Sequence, residues 1–290
     1  MFNNFKNKKL VTRLAGLFSA IIILVGVSLF QFFEEGKALE VDFLDVGQGD
    51  AILIKTPDHQ RILIDGGPSS TVVNKLGENL PFFEKEIDLI ILTHPHADHL
   101  VGLIEVLKRY EVKKILSTGV LFTTPDYLAW LQEIKNQNVP MEIVKAGETL
   151  DFGGGVRMEI FYPVEDLTGK SVENLNDTSI VGKLIFGQTS FLFTGDAEME
   201  AEEDLISRGV DLQADVLKVA HHGSKNATSD NFLKKVQPKF AVISVGKNNS
   251  FGHPNLMAIK RLEKNGVEIF RTDQDGDIKI TSDGEKINFK

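Results

Sequence analysis

The chain has 290 residues, of which 42% are hydrophobic and 25% charged, a composition typical of a globular protein with a hydrophobic core. It contains no cysteine, which excludes disulfides, thiolate metal ligands and a lipid-modified cysteine anchor. The formal net charge is -9, and the first 33 residues contain basic but no acidic side chains, so the rest of the chain is more acidic still. That balance argues against a general nucleic-acid-binding surface, which needs lysine and arginine to neutralise phosphates.

The N-terminal residues predict a membrane anchor. Residues 14–33 carry no charge, and a helix of this length rises about 30 Å, which matches the hydrocarbon thickness of a bilayer. Basic side chains in residues 1–13 and acidic ones directly after the run predict a cytoplasmic tail, a single crossing of the cell membrane and an extracellular body. The alternative is a signal peptide that is cleaved near residues 36–38, after which the body is secreted. Residues 34–38 are predicted to be a short linker.

Residues 39–290 predict one domain of alternating strands and helices. Strands are indicated by short apolar or alternating runs between turn residues, in the order LEVDFLDV, DAILIKT, RILID, DLIILT, VKKILST, MEIVKAG, ETLDF, VRMEIFYP, SIVGKLIFG, TSFLFTGD, DVLKVA, KFAVISVG, VEIF and DIKITS. Helices are predicted, from apolar residues at helical spacing and from start signals, at 98–110, 124–136, 198–207, 229–236 and 255–264. Because two similar halves follow one another, the prediction is an α+β fold, a four-layer αββα sandwich with two facing sheets and helices outside.

The stretch HPHADH concentrates metal-binding side chains at the end of the predicted strand DLIILT. His94, His96, Asp98 and His99 lie within six positions, and the next predicted helix begins among them. The strand end holds the first histidine, the turn brings the second beside it, and the first helical turn supplies Asp98 and His99. Imidazole and carboxylate groups together suit a borderline divalent cation, so the spacing predicts a metal site rather than a histidine-rich surface loop.

Two later strand ends carry the same kinds of side chain. FLFTGD ends in Asp196, whose carboxylate can bridge two cations about 3.5–4 Å apart, and LKVAHHGS contains His221 and His222. Strand ends on one side of a sheet converge, so these side chains are predicted to join the HPHADH stretch.

Two weaker signals lie in LIDGG and SFGHPN. Asp65 follows a predicted strand and either orients a metal-bound histidine or forms an Asx-turn. His253 lies in a loop with glycine and proline. It binds substrate phosphate, donates a proton, or belongs to a helix-capping loop. His59 is interpreted as a hairpin-tip residue.

HxHxDH, followed by TGD and then a strand-end histidine, resembles the metallo-β-lactamase superfamily. The segments FLDVGQGDAILI, LIDGG, LTHPHADHLVGL, NDTSIV, FLFTGDAE, LKVAHHGS and SVGKNNSFGHPN are similar to the hydrolase domain of ComEC-type DNA-uptake competence proteins. The resemblance spans residues 39–290 and implies the αββα fold of that superfamily, one or two divalent cations and a hydrolytic water.

The resemblance also implies roles for individual residues. The ligands are His94 and His96 for a first cation, Asp98 and His99 for a second, Asp196 for both, and His222 for the second. In this assignment His221 lies next to the substrate, and Asp65 orients a ligand from behind.

The chain departs from the common superfamily pattern at one position. Many members supply a third histidine to the first cation from the segment before the TGD strand, but no histidine lies between His99 and His221 here. The corresponding segment, NLNDTSIV, offers Asn176, Asp177 or a water instead. An oxygen-richer site is weaker for zinc and tolerates manganese better, so either zinc or manganese is expected.

The leading hypothesis is metal-dependent hydrolysis of a phosphodiester, with extracellular DNA as the substrate that the resemblance implies. In this hypothesis Asp98 orients the attacking hydroxide, and His221 or His253 protonates the leaving oxygen. Ser224 and Lys225 are predicted to contact the substrate.

A local basic patch formed by Lys218, Lys225 and Lys247 is expected beside the site, in contrast to the acidic body. Two alternatives stay open. One is hydrolysis of a phosphorylcholine-type or other ester, and the other is a non-catalytic anchored binding module with a vestigial metal site. The sequence identifies no protein partner.

Overall fold

A computed structural model describes residues 38–290 and, within the N-terminal run, residues 14, 16, 18, 19 and 21–23. Most of the predicted membrane segment 14–33, the basic tail 1–13 and most of the linker 34–38 therefore lie outside the described residues. No helix in the described part of the chain is both long and apolar enough to span a bilayer. The anchor stays a prediction, and Leu39–Lys290 forms a compact unit by itself.

The first part of this unit alternates short strands with three helices. In chain order the elements are β1 (Leu39–Phe43), β2 (Ile52–Lys55), β3 (Arg61–Ile64), α1 (Thr71–Asn79), β4 (Glu86–Ile87), β5 (Leu89–Ile91), α2 (Ala97–Leu107), β6 (Glu111–Val112), β7 (Ile115–Ser117), α3 (Pro125–Gln137) and β8 (Met141–Ile143).

The second part begins with a run of antiparallel strands and continues with helices between parallel ones. Its elements are β9 (Thr149–Asp151), β10 (Val156–Tyr162), β11 (Val181–Phe186), β12 (Thr189–Phe193), α4 (Met199–Ser207), β13 (Val216–Lys218), α5 (Asp230–Val236), β14 (Phe240–Ile243), α6 (Leu256–Lys264), β15 (Glu268–Arg271), α7 (Thr272–Asp275), β16 (Ile278–Ser282) and β17 (Ile287–Phe289). Short 3-10 helices lie at Asn176–Thr178 and Ala220–Gly223.

The strands form two large mixed sheets. The order is β17-β16-β1-β2-β3-β5-β7-β8 in the first sheet and β15-β14-β13-β12-β11-β10-β9 in the second, while β4 pairs with β6 alone. Strands β3, β5, β7 and β8 run parallel to one another, as do β12, β13, β14 and β15. Each sheet therefore has a block of parallel strands whose carboxyl ends lie on one edge.

Three buried layers hold the sheets and helices together. Between the sheets, alternate residues such as Val41 and Ile62 of the first sheet share one core with Phe191 and Val242 of the second. The other face of the first sheet is covered by α1–α3, where Trp130 is fully buried, and the other face of the second by α4–α6. Each fully buried aliphatic side chain contributes about 1.5–3 kcal/mol. The layer order is the predicted αββα.

Five short elements have no counterpart in the predicted set, namely α1, β4, β6, α7 and β17. Helix α1 has nine residues and buries only Val72 and Leu76, so the helical period of its sequence is weak. Gly77 in its second half disfavours the helix further. Tertiary packing rather than local propensity accounts for such short elements.

Gly102 brings α2 unusually close to the loop that follows β3. A Cβ atom at this position would lie 1.9 Å from the carbonyl oxygen of Gly66, and the Gly102 amide donates to the Gly67 carbonyl at 2.9 Å. Only glycine fits this contact. It holds the first turn of α2, with Asp98 and His99, against the end of β3.

Candidate metal centre

The candidate site lies where parallel strands of both sheets end. Asp65 follows β3, His94 follows β5, Asp196 follows β12 and His222 follows β13. The Nε2 atom of His94 and the Oδ2 atom of Asp196, which belong to different sheets, are 3.9 Å apart. The predicted convergence of strand ends therefore occurs, and it joins the two sheets at one edge.

Asp196 lies at the centre of this cluster. Its Oδ2 atom is 3.3 Å from His99 Nε2, 3.4 Å from His222 Nε2, and 3.9 Å from both His94 Nε2 and His221 Nε2. The side chain is only 2% exposed. One buried carboxylate oxygen therefore faces four imidazole rings.

Unusual backbone conformations present these groups to one another. Gly195 has φ +50°, and a Cβ there would lie 2.9 Å from that of Ser179, so glycine is required in the TGD turn. His221 and His222 have φ values of +48° and +53°, which non-glycine residues rarely adopt. Each such residue costs on the order of 1–3 kcal/mol, and strain of this kind clusters at functional sites.

Asp65 fixes the orientation of His99. Its Oδ2 atom accepts hydrogen bonds from His99 Nδ1 at 2.8 Å and from Thr93 Oγ1 at 2.7 Å, and its Oδ1 atom accepts from the Thr93 amide at 2.8 Å. Burial raises the pKa of Asp65, although the neighbouring His99 opposes this. The bond at Nδ1 leaves His99 Nε2 directed at Asp196, which is how a carboxylate orients a metal-binding imidazole.

His222 is held in a similar way, by groups that are not among the residues predicted from the sequence. Its Nδ1 atom donates to the Ser244 carbonyl at 2.9 Å and lies 3.4 Å from Asp50 Oδ1. Asp50 in turn pairs with Lys218, whose Nζ is 2.6 Å from Asp50 Oδ2. Burial alone would raise the pKa of Asp50, but Lys218 and His222 lower it below its usual value.

Lys218 is therefore not part of a surface patch, and that prediction is wrong. Its side chain is fully buried, and its ammonium group also donates to the carbonyls of Val219 and Gly195. The sequence signal for this buried ion pair is the lysine inside the apolar strand VLKVA, because a buried charge needs a partner.

Glu198 orients His221. The Nδ1 atom of His221 lies 2.8 Å from Glu198 Oε1, so Nε2 is directed towards Asp196. Glu198 lies two residues after Asp196 at the N-cap of α4, and no local sequence pattern predicts its contact with His221.

The segment that replaces the missing histidine places Asn176, not Asp177, beside the cluster. Asn176 Nδ2 lies 3.3 Å from His221 Nδ1, and its Oδ1 atom is buried without a hydrogen-bond partner in the described part of the chain. Asp177 instead accepts from the Glu198 amide and from Asn174 Nδ2, both at 2.8 Å. Its two oxygens stabilise the loop, so its placement does not match the predicted ligand role.

His94 and His96 lie side by side, with 3.0 Å between His94 Nε2 and His96 Nδ1. Thr93 Oγ1 and Ser179 Oγ are 3.1 and 3.3 Å from His94 Nδ1. Burial lowers the pKa of both histidines, most strongly that of His94. Both rings are therefore favoured in the neutral form that binds metals.

The donor set fits a divalent cation. Ligand atoms of Asp98, His99, Asp196 and His222 all lie within 4.8 Å of one another. Asp196 Oδ1, His99 Nε2 and His222 Nε2 are buried and lack a hydrogen-bond partner among the described residues. Burial alone would lower the pKa values of His99 and His222, but the Asp196 carboxylate raises both well above the usual value. A cation bound by these atoms would replace the protons that the raised pKa values place on His99 and His222.

The remaining predicted residues surround the cluster. Asp98 Oδ2 lies 3.3 Å from His222 Nε2, with its side chain 31% exposed, and the His253 ring centroid is 5.3 Å from that of His221.

Ser224 is buried and its hydroxyl accepts from the Asn226 amide, so it stabilises the turn. Lys225 is exposed.

Comparison with known proteins agrees with this geometry. The family model described as Metallo-beta-lactamase superfamily matches residues 44–247. ComE operon protein 3 of Bacillus subtilis (strain 168) is 34% identical over 257 residues, 82% of this chain and 32% of that protein. Competence protein ComA of Neisseria gonorrhoeae is 27% identical over 261 residues, 89% of this chain and 34% of that protein. The chain spans about a third of the length of these curated relatives.

Solved structures share the fold at low sequence identity. The metallo-beta-lactamase fold protein YhfI from Bacillus subtilis has a TM-score of 0.57 at 12% identity, covering 83% of this chain and 99% of its own. Igni18, a metallo hydrolase from Ignicoccus hospitalis, has a TM-score of 0.53 at 15% identity, covering 83% and 98%. At such identities the similarity concerns the fold alone.

Proposed function

The chain belongs to the metallo-β-lactamase superfamily, and from this premise we propose that it is a metal-dependent phosphodiesterase that hydrolyses DNA. The observation that carries the proposal is the Asp196 oxygen surrounded by four imidazoles, with Asp98 at the open side. The similarity to two competence proteins supports a phosphodiester substrate over other esters.

The residues that would hold one or two cations are His94, His96, Asp98, His99, Asp196 and His222. A bound zinc or manganese ion lowers the pKa of water towards 7 and compensates negative charge on phosphoryl oxygens. Asn176 Oδ1 is a further oxygen donor without a partner in the described chain, in keeping with a site that accepts manganese.

The protein's own groups would orient the water and supply a proton. Asp98 is the one partly exposed carboxylate in the group of Asp98, His99, Asp196 and His222, so it can accept a hydrogen bond from the attacking water. His221 is held through Nδ1 by Glu198, so its Nε2–H can donate to the leaving oxygen when the ring is doubly protonated. His253 is less suited to donate, because burial and His221 lower its pKa.

The proposal is tested with the full chain in detergent, end-labelled single-stranded DNA, and added manganese or zinc. We expect cleavage by the native chain and none by Asp98→Ala. Asp58→Ala is the control, because Asp58 is exposed at the tip of the β2–β3 hairpin, at the amino end of β3 and away from the site. Hydrolysis of a phosphorylcholine ester but not DNA would overturn the proposed substrate. A chain that binds no metal and cleaves neither substrate would overturn the assignment of an enzyme.

We also propose that residues 14–33 anchor the protein in the cell membrane, with residues 1–13 in the cytoplasm and the catalytic domain outside. The support is the uncharged run and the basic residues before it. The full-length chain is expected in the membrane fraction, with its domain cleaved by protease added to intact cells. A shortened chain in the medium would instead indicate a signal peptide.

A further inference from the structure

Phe251 is an exposed aromatic side chain in the loop next to the candidate metal centre. It is 68% exposed, and Leu256 and Met257, at the start of α6, are 63% and 57% exposed. Burial of a phenylalanine is normally favourable, so a ring held in solvent beside a reactive site is available for a ligand.

The ring is part of a chain of aromatic rings that leads to Asp196. Phe251 lies nearly parallel to His253, with an interplanar angle of 26° and 6.1 Å between centroids. His253 is edge-on to His221, at 5.3 Å between centroids, and His221 Nε2 is 3.9 Å from Asp196 Oδ2. Phe251 is therefore two ring contacts from the histidine that faces the central carboxylate.

Asn249 holds the loop in this position. Its Oδ1 atom accepts from the amides of Phe251 and His253, both at 3.1 Å, and its Nδ2 atom donates to the Gly246 and His253 carbonyls. The Asn255 amide donates to the Gly223 carbonyl at 2.8 Å, which joins the loop to the HHGS turn. The phenyl ring is thus presented on an ordered support.

Two exposed lysines lie in the segments that carry the site histidines His221, His222 and His253. Lys247 precedes the loop, and Lys225 follows the HHGS turn, whose position Arg261 secures by donating to the Lys225 carbonyl at 2.7 Å. Both lysines are exposed, and neither ammonium group makes an ion pair or hydrogen bond with the described residues. An exposed aromatic ring and unpaired lysines in the same two loops match the chemistry of single-stranded nucleic acid, whose bases stack and whose phosphates are negative.

From these contacts we infer that Phe251 is a stacking platform for a base of single-stranded DNA, next to the phosphate that is hydrolysed. The inference rests on the proposed function and specifies how the substrate is recognised. Since any base has a flat face, the platform selects single strands with little preference for sequence.

The test compares a short oligothymidylate with an abasic oligonucleotide of the same length, using the full chain with manganese. Phe251→Ala is expected to raise KM for oligothymidylate about tenfold with little change in kcat, since the variant loses the aromatic face on which a base stacks. The same variant should leave the abasic substrate unchanged. Phe251→Trp, which keeps an aromatic face, should have a KM close to that of the native chain.

Phe82→Ala is the matched control, because Phe82 is 94% exposed but lies between α1 and β4, at the opposite edge of the first sheet. Equal changes on both substrates, or none on oligothymidylate, would overturn the platform while leaving the phosphodiesterase intact. If the native chain cleaves neither oligonucleotide, the proposed function fails, and binding of fluorescent oligothymidylate decides the platform. Weaker binding by Phe251→Ala would support it, and equal binding would overturn it.

Discussion

Asp196→Asn is expected to lower both metal affinity and DNA turnover by more than about 100-fold. Losing a residue that only hydrogen-bonds to a metal ligand typically costs up to about 100-fold, and Asp196 is itself a proposed ligand. The substitution keeps the shape of the side chain but removes the charge that lies within 3.9 Å of four imidazoles. Manganese titration calorimetry measures the affinity, and cleavage of labelled DNA measures turnover.

Asp177→Asn is the matched control for this prediction. Asp177 precedes strands β11 and β12, and Asp196 follows them. The oxygens of Asp177 accept hydrogen bonds from Asn174 and the Glu198 amide, and an asparagine oxygen can still accept one of these bonds. We expect affinity and turnover to change by about twofold or less, as for an ordinary surface substitution. Equal losses at Asp177 and Asp196 would contradict the arrangement around Asp196.

Lys218→Met is expected to lower the free energy of unfolding by about 3–5 kcal/mol, because it leaves the charge of Asp50 buried without its partner. Both side chains of this pair are at most 2% exposed. A loss of that size is a large part of the roughly 5–15 kcal/mol by which a domain is stable. Urea unfolding of the metal-free chain measures it, with the single, fully buried Trp130 as the fluorescent probe.

Lys183→Met is the control for burial of a lysine. Lys183 is 7% exposed in β11, but its partner Asp211 is 75% exposed and stays hydrated when the lysine is lost. Its substitution should therefore cost no more than about 1 kcal/mol. A cost for Lys218→Met as small as this would show that Asp50 is not dependent on Lys218.

The double variant Lys218→Met with Asp50→Asn separates stability from metal binding. Removing both charges of a buried pair is often neutral, so most of the lost stability should return. Metal affinity should stay about 10–100-fold below that of the native chain, because the group behind His222 has lost its charge. Recovery of both properties would contradict an orienting role for Asp50.

Most of the ligand candidates were recognisable from local patterns. HPHADH follows an apolar strand and begins a helix, and TGD and HHGS also follow apolar strands, so residue type and element boundary coincide in each case. These signals are contained in a few adjacent residues. The strand order brings Asp65 within 2.8 Å of His99, while its role as an orienting group for a metal ligand stays a prediction.

Apart from Asp65, the groups that hold the histidines from behind were not recognisable in this way. Asp50 follows the GQG turn, Lys218 lies in a distant strand, and Glu198 is the N-cap residue of α4. No local pattern at these positions indicates which residue each of them contacts. The choice between Asn176 and Asp177 was open for the same reason, since adjacent residues in a 3-10 turn point in different directions.

The amino-acid order alone thus specifies the strand ends, the histidines and carboxylates placed on them, and the four-layer class, because apolar periodicity and turn chemistry act over a few residues. Partnership between distant charges depends on sheet order, register and burial. Folding therefore decided that Lys218 neutralises Asp50 inside the protein, that Asp177 accepts a hydrogen bond from the Glu198 amide, and that Phe251 stays in solvent beside His253. A buried charge must find its counter-charge within a few ångströms, and only the packed structure sets that distance.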